Sequence, residues 1–438
     1  MPPRRSFVLS TLRGFALRPR LVRAVPKPVR WTLRRAVVGA PVRRHVAGCS
    51  AVTFVAVTGS LGKTTTKDLI AAALATVGRT SKTPGTENGL DGVPSTLMSV
   101  RPGDRFAVVE AGIGDQPGEM RWLAGLFEPD VAVLTMLASD HVIAYGTVEA
   151  VAREKRALLE RVPAQGTVVV DADDPLTRAT AEGLRATVVR TGSRDDADVR
   201  LVDAHLVWPD GLDVTLDAFG GRLSGRVGLH ALHLAPLVPL AVAAAAACGV
   251  PPPRTLAAIA DFIPQDGRMS PVAGPNGAML LADDYKSRPN SVLAAIRALG
   301  ATTAARRVAV LGRIQNEPQT VDTYRAPALL LREHADVLVT VGECAEPYRE
   351  LLAGTPLGAT QVSLERASEV AEWLDRALRP GDVALLHADS SQHLARARLR
   401  LAGVDVRCDV RRCKLRWPCD TCTFLGTDGP PAPLVDAA

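Results

Sequence analysis

A lysine and three threonines close the run TGSLGKTTT at residues 58–66, and the two glycines ahead of them decide what such a group can hold. Gly59 and Gly62 permit backbone geometries closed to other residues, so successive amides can turn toward one anion. Residues 54–58 read as a buried strand and residues 64–77 as a helix. The junction therefore gathers unpaired N–H groups and the positive end of a helix dipole. Lys63 reaches the outer phosphates of a nucleotide, the Thr64 hydroxyl suits Mg²⁺, and Ser60 and Thr65 complete the loop. The spacing is the short G-x-x-G-K-T, with Val57 standing where a longer phosphate loop has its first glycine. ATP is the expected guest.

Further segments follow in a fixed order: TPGTENGLDGVPSTL at 83–97, AVVEAGIGDQPGEM at 107–120, SDHVIAYGTVEAVAREK at 139–155 and VVVDADDP at 168–175. Together with T-G-x-x-G-K-T-T they resemble the Mur ligase family, the ATP-dependent amide-forming enzymes of cell-wall assembly and their relatives. The muramoyl-tripeptide D-alanyl-D-alanine ligase branch is the nearest in motif detail. The resemblance implies that Asn88 meets the nucleotide and that Glu110, His141 and Lys155 act beside Lys63. It also implies that Lys155 is carbamylated by CO₂ and becomes a carboxylate ligand for a second Mg²⁺. The plain alternatives are a satisfied core or surface histidine at 141 and a helix-surface lysine at 155, paired with neighbours such as Glu154.

The chemistry asks for these residue types in any case. Carboxylate oxygen is a poor leaving group until a phosphoryl group is transferred to it, and the amine then attacks the acyl phosphate. Two anions, the acid and ATP, must be brought together, so cations must offset their repulsion. Glu110 ends one apolar strand and His141 follows another, which suits a Mg²⁺ held with Thr64 and Lys155 between the phosphoryl group and the acceptor.

Residues 192–228 alternate polar and apolar positions and predict a small antiparallel sheet. The stretch ALHLAPLVPLAVAAAAACGV at 231–250 is long enough to cross a membrane, but its histidine, two prolines and many alanines favour a buried core helix. A hinge near residues 262–269 leads to four apolar strands alternating with helical runs, a doubly wound parallel sheet. No G-x-G-x-x-G occurs there, so nothing supports a dinucleotide. The resemblance assigns Arg268 to the phosphates, Asp284 in LADDYKSRPNS to the nucleotide and Lys286 to the γ-phosphate. The predicted class is α/β: a basic N-terminal segment (1–50), a P-loop central domain with a parallel sheet (51–265), a C-terminal Rossmann-like domain (266–405) and a cysteine-rich tail (406–438).

Of 438 residues, 47% are apolar and 22% charged, which describes a globular chain. Residues 1–48 hold twelve Arg/Lys and no acid, so the remainder sums to about −6. The leader's PPRRSFVLS brushes against a twin-arginine export signal, but arginines at 13, 18, 20 and 23 interrupt the apolar core that export needs. A basic, partly amphipathic leader fits an anionic or membrane-associated acceptor, or a solvated arm. Seven cysteines, four of them at Cys408, Cys413, Cys419 and Cys422, argue for a reducing cytoplasm, with a peripheral place at the inner membrane face open to the leader. Those four, as C-x4-C-x5-C-x2-C, are a candidate Zn²⁺ set, with redox-active thiols, an iron–sulfur cluster or uninvolved thiols as the alternatives.

Departures from the family pattern concern substrate. Arg313 replaces an acid in LGRIQNEPQ, LLHADSSQHL lacks the K-G-S-R that grips the amine's carboxylate, and Asp171 replaces an asparagine. The leader stands where the family has a UDP-binding domain. The expected function is an ATP- and Mg-dependent ligase joining an amino acid or other amine to a carboxylate acceptor that is not a UDP-muramoyl peptide. Two other readings stay open: an ATP-binding regulatory or scaffold homologue without turnover, and a nucleic-acid binder using leader and tail, the least expected.

Overall fold

The computed structural model describes residues 27–138, 142–415, 418–431 and 434. The chain divides into two units. The first comprises the described residues up to Ala204 with Asp213–Val227 and Leu234–Phe262; the second comprises His205–Leu212, Gly228–His233 and everything from Ile263.

Nine strands form the first sheet: β1 (Thr53–Thr58), β2 (Thr80–Lys82), β3 (Phe106–Glu110), β4 (Val131–Leu134), β5 (Thr167–Asp171), β6 (Thr187–Gly192), β7 (Val199–Val207), β8 (Gly211–Ala218) and β9 (Gly221–Val227), in the order β2-β3-β1-β4-β5-β6-β7-β8-β9. Strands β3 and β4 are buried along their whole length and β1 and β5 along all but their first residue, the pattern of a parallel sheet covered on both faces. Phe54, Ala56 and Val109 share one core with Leu97, Val151 and Leu158 from flanking helices. The helix Lys63–Ala75 packs on the alanine-rich helix Leu237–Ala247, whose small side chains allow close approach. That helix is the buried core element expected of residues 231–250, and no helix among the described residues is long and apolar enough to cross a membrane.

Register places the site. Central β1 pairs parallel with β3 and β4, and Val57 lies opposite Glu110. The last residue of β3 is thereby level with the end of β1, where the phosphate loop begins. The small antiparallel sheet expected over 192–228 is the meander β7–β9, and because β6 pairs parallel with β7 at Thr191↔Val199 it continues the main sheet. Its tight connections at 208–210 and 219–220 permit only antiparallel neighbours.

The leader's described part is a helix, Lys27–Ala47, whose Val38 and Val42 are buried in the core. His45 Nε2 lies 2.8 Å from the Val100 carbonyl. Residues 1–26, which carry the rest of the leader, lie outside the described residues.

The second unit has β10 (Ser270–Ala273), β11 (Met279–Asp283), β12 (Arg306–Leu311), β13 (Val337–Val341), β14 (Val362–Leu364) and β15 (Asp382–His387), ordered β10-β11-β15-β12-β13-β14 and parallel except for β10. β12 leads to the helix Val321–His334, which packs on Pro289–Gly300, while β15 leads to Ala395–Leu401, which packs on Ala367–Ala377. Adjacent strands thus send their chains to opposite faces, opening a crevice at their carboxyl ends. The tail is built into this unit. Arg396, 1% exposed, donates to the carbonyls of His393, Gln392, Cys408 and Val410, and Ser368 donates through N and Oγ to the Asp409 carboxylate.

Candidate active site

The loop after β1 is held by its neighbour strand. Ser60 N donates to the Met136 carbonyl at 2.8 Å, and Thr135 Oγ1 donates to the Leu61 carbonyl at 2.6 Å. Gly59 has φ 143° and a Cβ there would lie 1.9 Å from Thr135 Oγ1, so no other residue fits. Gly62, at φ 79°, caps the helix Lys63–Ala75 without a side-chain bond to its first amides, leaving that helix end suited to an anion. Lys63 Nζ donates to the carbonyls of Gly59 and Ser60 at 2.9 and 3.0 Å. Lys155, buried on the helix Val148–Leu159, donates to the same Gly59 carbonyl at 2.8 Å.

Glu110 is fully buried at the end of β3. Its Oε1 accepts from Thr64 Oγ1 at 3.1 Å and from Asn88 Nδ2 at 2.6 Å, while Oε2 is buried with no hydrogen-bond partner among the described residues. A buried carboxylate oxygen with free lone pairs, set beside a threonine hydroxyl, is what a hard divalent cation takes. These residues fit Mg²⁺. The structure thus brings Gly59, Ser60, Gly62, Lys63, Thr64, Asn88, Glu110 and Lys155 together; Thr65 stands half-buried in the helix's first turn, and His141 lies outside the described residues.

Lys67 was not singled out from the sequence. It is fully buried, donates to the carbonyls of Thr83 and Gly85 at 2.8 and 2.7 Å, and stands 3.3 Å from Asp68 Oδ1 and 3.9 Å from Glu110 Oε2. The only signal was its place one helical turn after Lys63.

In the second unit, the Arg268 guanidinium stacks 4.5 Å from the Tyr285 ring centre, with Nε unpartnered. Lys286 is half-buried after β11. Asp284 is instead engaged internally: Arg398 Nε donates to its Oδ2 at 2.8 Å, and both side chains are buried. An ion pair is how a buried carboxylate avoids its desolvation penalty. Beside it, His387 Nδ1 meets Asp283 Oδ2 at 2.8 Å.

The crevice between β12 and β15 holds a cavity of about 290 Å³ lined by Arg313, Gln315, Asp389, Ser390 and Ser391, and by Cys413–Leu415 of the tail. Arg313 Nε lies 3.7 Å from Asp389 Oδ2, and Gln315 Oε1 and Ser391 Oγ are buried there without hydrogen-bond partners among the described residues. Gln392, unsuspected from sequence, ties the walls by accepting from Arg313 N at 2.8 Å and donating to the Val341 carbonyl at 2.7 Å.

The tail gives the zinc expectation no support. Cys408 Sγ receives Arg396 Nη1 at 3.5 Å and Cys419 Sγ lies 3.2 Å from His393 Nδ1. Burial pushes the Cys419 thiol up to about 12 and the His393 imidazole down to about 4, and among the described residues no three His, Cys, Asp or Glu side chains converge to hold a metal. Cys408, Cys413 and Cys419 are buried and Cys422 is half-buried.

Two sequence families match the two units: the Mur ligase middle domain over residues 57–228, and the Mur ligase glutamate ligase domain over 267–389. The chain belongs to the Mur ligase family. This Mur ligase is 29% identical over 382 residues to the UDP-N-acetylmuramoyl-tripeptide–D-alanyl-D-alanine ligase of Mycobacterium tuberculosis, covering 82% of this chain and 75% of the relative. Its fold is that of MurF from Acinetobacter baumannii, with TM-score 0.76 at 22% identity over 84% and 80% of the two chains. It is also that of the Mycobacterium tuberculosis folylpolyglutamate synthase complexed with ADP, with TM-score 0.64 at 16% identity over 87% and 95%. Like its family, this Mur ligase is an ATP-dependent amide ligase. The expectation that its acceptor is not a UDP-muramoyl peptide gains no support, since the relatives carry that substrate in their names.

Proposed function

We propose that this Mur ligase joins a carboxylate-bearing amine, an amino acid or short peptide, to a carboxylate acceptor by way of an acyl phosphate. The observation that carries the reading is Glu110: fully buried, oriented by Thr64 and Asn88, with one oxygen left free beside a phosphate-binding loop onto which two lysines converge.

The loop amides, Lys63 and the helix end bind the triphosphate. Glu110 and Thr64 would hold Mg²⁺, with His141, and Lys155 only once carbamylated, as further ligands, and the ion supplies charge neutralisation and polarisation of the phosphoryl oxygens. An acceptor carboxylate oxygen bonds the γ-phosphorus as the bond to the bridging oxygen breaks and ADP departs. The amine nitrogen then bonds the acyl carbon, the carbon–oxygen bond breaks, phosphate leaves and the nitrogen gives up its proton. Arg268 and Lys286 are the second unit's proposed phosphate contacts. The crevice cavity takes the amine: Arg313, Ser391 and Lys414 meet its carboxylate, doing with other residues what K-G-S-R does in the resembled branch.

The experiment is ADP release with ATP, Mg²⁺, and UDP-N-acetylmuramoyl-tripeptide or a free peptide as acceptor, using D-alanyl-D-alanine, single amino acids or hydroxylamine as nucleophile. Release that needs acceptor and nucleophile, with hydroxamate formed from hydroxylamine, is expected. ATP binding without acid-dependent ADP for any acceptor would instead establish a non-catalytic homologue.

A further inference from the structure

We propose that Lys67 is a built-in counter-ion that makes metal binding at Glu110 conditional on the nucleotide. The inference rests on the reading that Glu110 holds the metal, and goes beyond it by assigning a role to a residue outside the phosphate loop.

The geometry separates charge from hydrogen bonding. An ammonium has three protons to give. Those of Lys67 have three acceptors at close range: the Thr83 and Gly85 carbonyls at 2.8 and 2.7 Å, and Asp68 Oδ1 at 3.3 Å. Glu110 Oε2 stands farther off, at 3.9 Å, and takes no hydrogen bond. Lys67 therefore imposes its charge on Glu110 without occupying the oxygen's lone pairs. Burial, with the nearby Lys82, brings the Lys67 ammonium below its ordinary value, and Asp68 and Glu110 oppose that effect.

Such an arrangement does two things. It lets Glu110 be carried as a carboxylate into a fully buried place, since a lone buried charge is strongly unfavourable. It also sets a positive charge against any cation approaching Oε2. Lys63 and Lys155, both bonded to the Gly59 carbonyl of the same loop, add to that field. A divalent ion arriving alone meets three ammonium groups against the carboxylates of Glu110 and Asp68, the latter already shared between Lys67 and Lys82. An ion arriving with a triphosphate brings its own negative charge, and Glu110 then adds a ligand. The site refuses bare metal and accepts the metal–nucleotide complex.

A purely structural Lys67 predicts the opposite sign for its removal. Lys67 also anchors the turn Thr83–Gly85 ahead of Asn88, whose amide orients Glu110. If anchoring were all it did, Lys67→Met would loosen Glu110 and weaken every metal. If it is the counter-ion, Lys67→Met strengthens binding of bare metal.

The test is Mn²⁺ binding to the full-length protein without nucleotide, followed by electron paramagnetic resonance, for the wild type, Lys67→Met, Lys67→Arg, and Lys67→Met combined with Glu110→Gln. The expected result is weak binding in the wild type and Lys67→Arg, and binding about tenfold tighter or more in Lys67→Met, as fits removal of a buried unit charge near the ion. Glu110→Gln abolishes that gain. Equal or weaker Mn²⁺ binding in a folded Lys67→Met protein overturns the proposal. A gain that survives Glu110→Gln overturns instead the reading that Glu110 is the ligand, and the proposal with it. Should Lys67→Met fail to fold, Asp68→Asn carries the test in reverse: removing the carboxylate that shares the Lys67 charge leaves more of it on Glu110, and Mn²⁺ binding in the presence of ATP must weaken. Unchanged binding there overturns the proposal equally.

Discussion

Lys63 and Lys155 donate to one acceptor, the carbonyl oxygen of Gly59, at 2.9 and 2.8 Å. One lysine opens the helix that follows the loop; the other arrives buried from the helix Val148–Leu159. The two ammonium groups concentrate positive charge where a triphosphate is to lie, yet they differ in burial, and that difference sorts their variants. Lys63→Ala is expected to lower ADP formation by about 10²–10³, the scale for losing a charged transition-state contact, with little change in melting temperature. Lys155→Ala leaves a cavity in a buried place and leaves the Gly59 carbonyl to Lys63 alone, so it lowers both activity and melting temperature. Parallel ADP-release assays and thermal melts check the contrast, and equal effects on both readouts from the two variants would refute it.

The crevice cavity predicts a substitution that spares the first half-reaction. Leu415 and Lys414 belong to the tail, and Arg313 to the loop after β12. Leu415→Trp should fill much of the cavity and raise KM for D-alanyl-D-alanine about tenfold or more. KM for ATP and hydroxamate formation from hydroxylamine, a nucleophile too small to need the cavity, should stay near the wild-type values. Arg313→Ala should act in the same direction through loss of a carboxylate partner. An unaltered dipeptide KM in both variants would remove the amine from this crevice.

Asp171 gives a pH dependence with a definite sign. Burial raises its carboxyl from 3.8 to about 6, with Asp173 and Asp174 adding to the rise. The folded state thus holds a proton that the unfolded chain releases near its ordinary value, so this group's contribution falls as pH rises through that window and is fully unfavourable above it, by about 3 kcal/mol. Asp171→Asn removes the effect while its side-chain oxygen still accepts from Asp173 N. The variant should melt higher than the wild type at pH 8 and alike at pH 4. Melts at the two pH values decide it, and a gain of equal size at both would be the contrary result.

Arg396 holds the tail from inside. It has no carboxylate partner, and its guanidinium is spent on four carbonyls and the Cys408 thiol. Arg396→Met should destabilise the chain by roughly 3 kcal/mol through carbonyls left unpaired, and expose residues beyond 403 to limited proteolysis. Cys408→Ser or chelator treatment should change far less, since Arg396 carries the hydrogen bonds that hold the tail. A large drop in melting temperature with chelator would reverse this account of the cysteines.

Much of the site was legible. Glycines at 59 and 62 before Lys63 can mean little else once a buried strand precedes them and a helix follows, because the needed backbone conformations and the free helix amides are local properties. Glu110 was legible as the polar end of an apolar strand. That Arg396 would be buried, that Asp284 would pair with Arg398, and that Cys419 would lie against His393 was not legible. Each depends on which distant groups surround a side chain after folding.

The amino-acid order by itself determined the phosphate loop, the apolar runs that had to become two covered parallel sheets, and the family, since these follow from backbone permissiveness, hydrophobic periodicity and motif spacing. Tertiary structure alone decided that Val57 lies opposite Glu110, that β7–β9 join the main sheet, and that Lys67 sits 3.9 Å from a carboxylate with a free oxygen. Strand register and the pairing of buried charges are set by packing among residues far apart in the chain, where the energy of each group depends on neighbours that local sequence does not name.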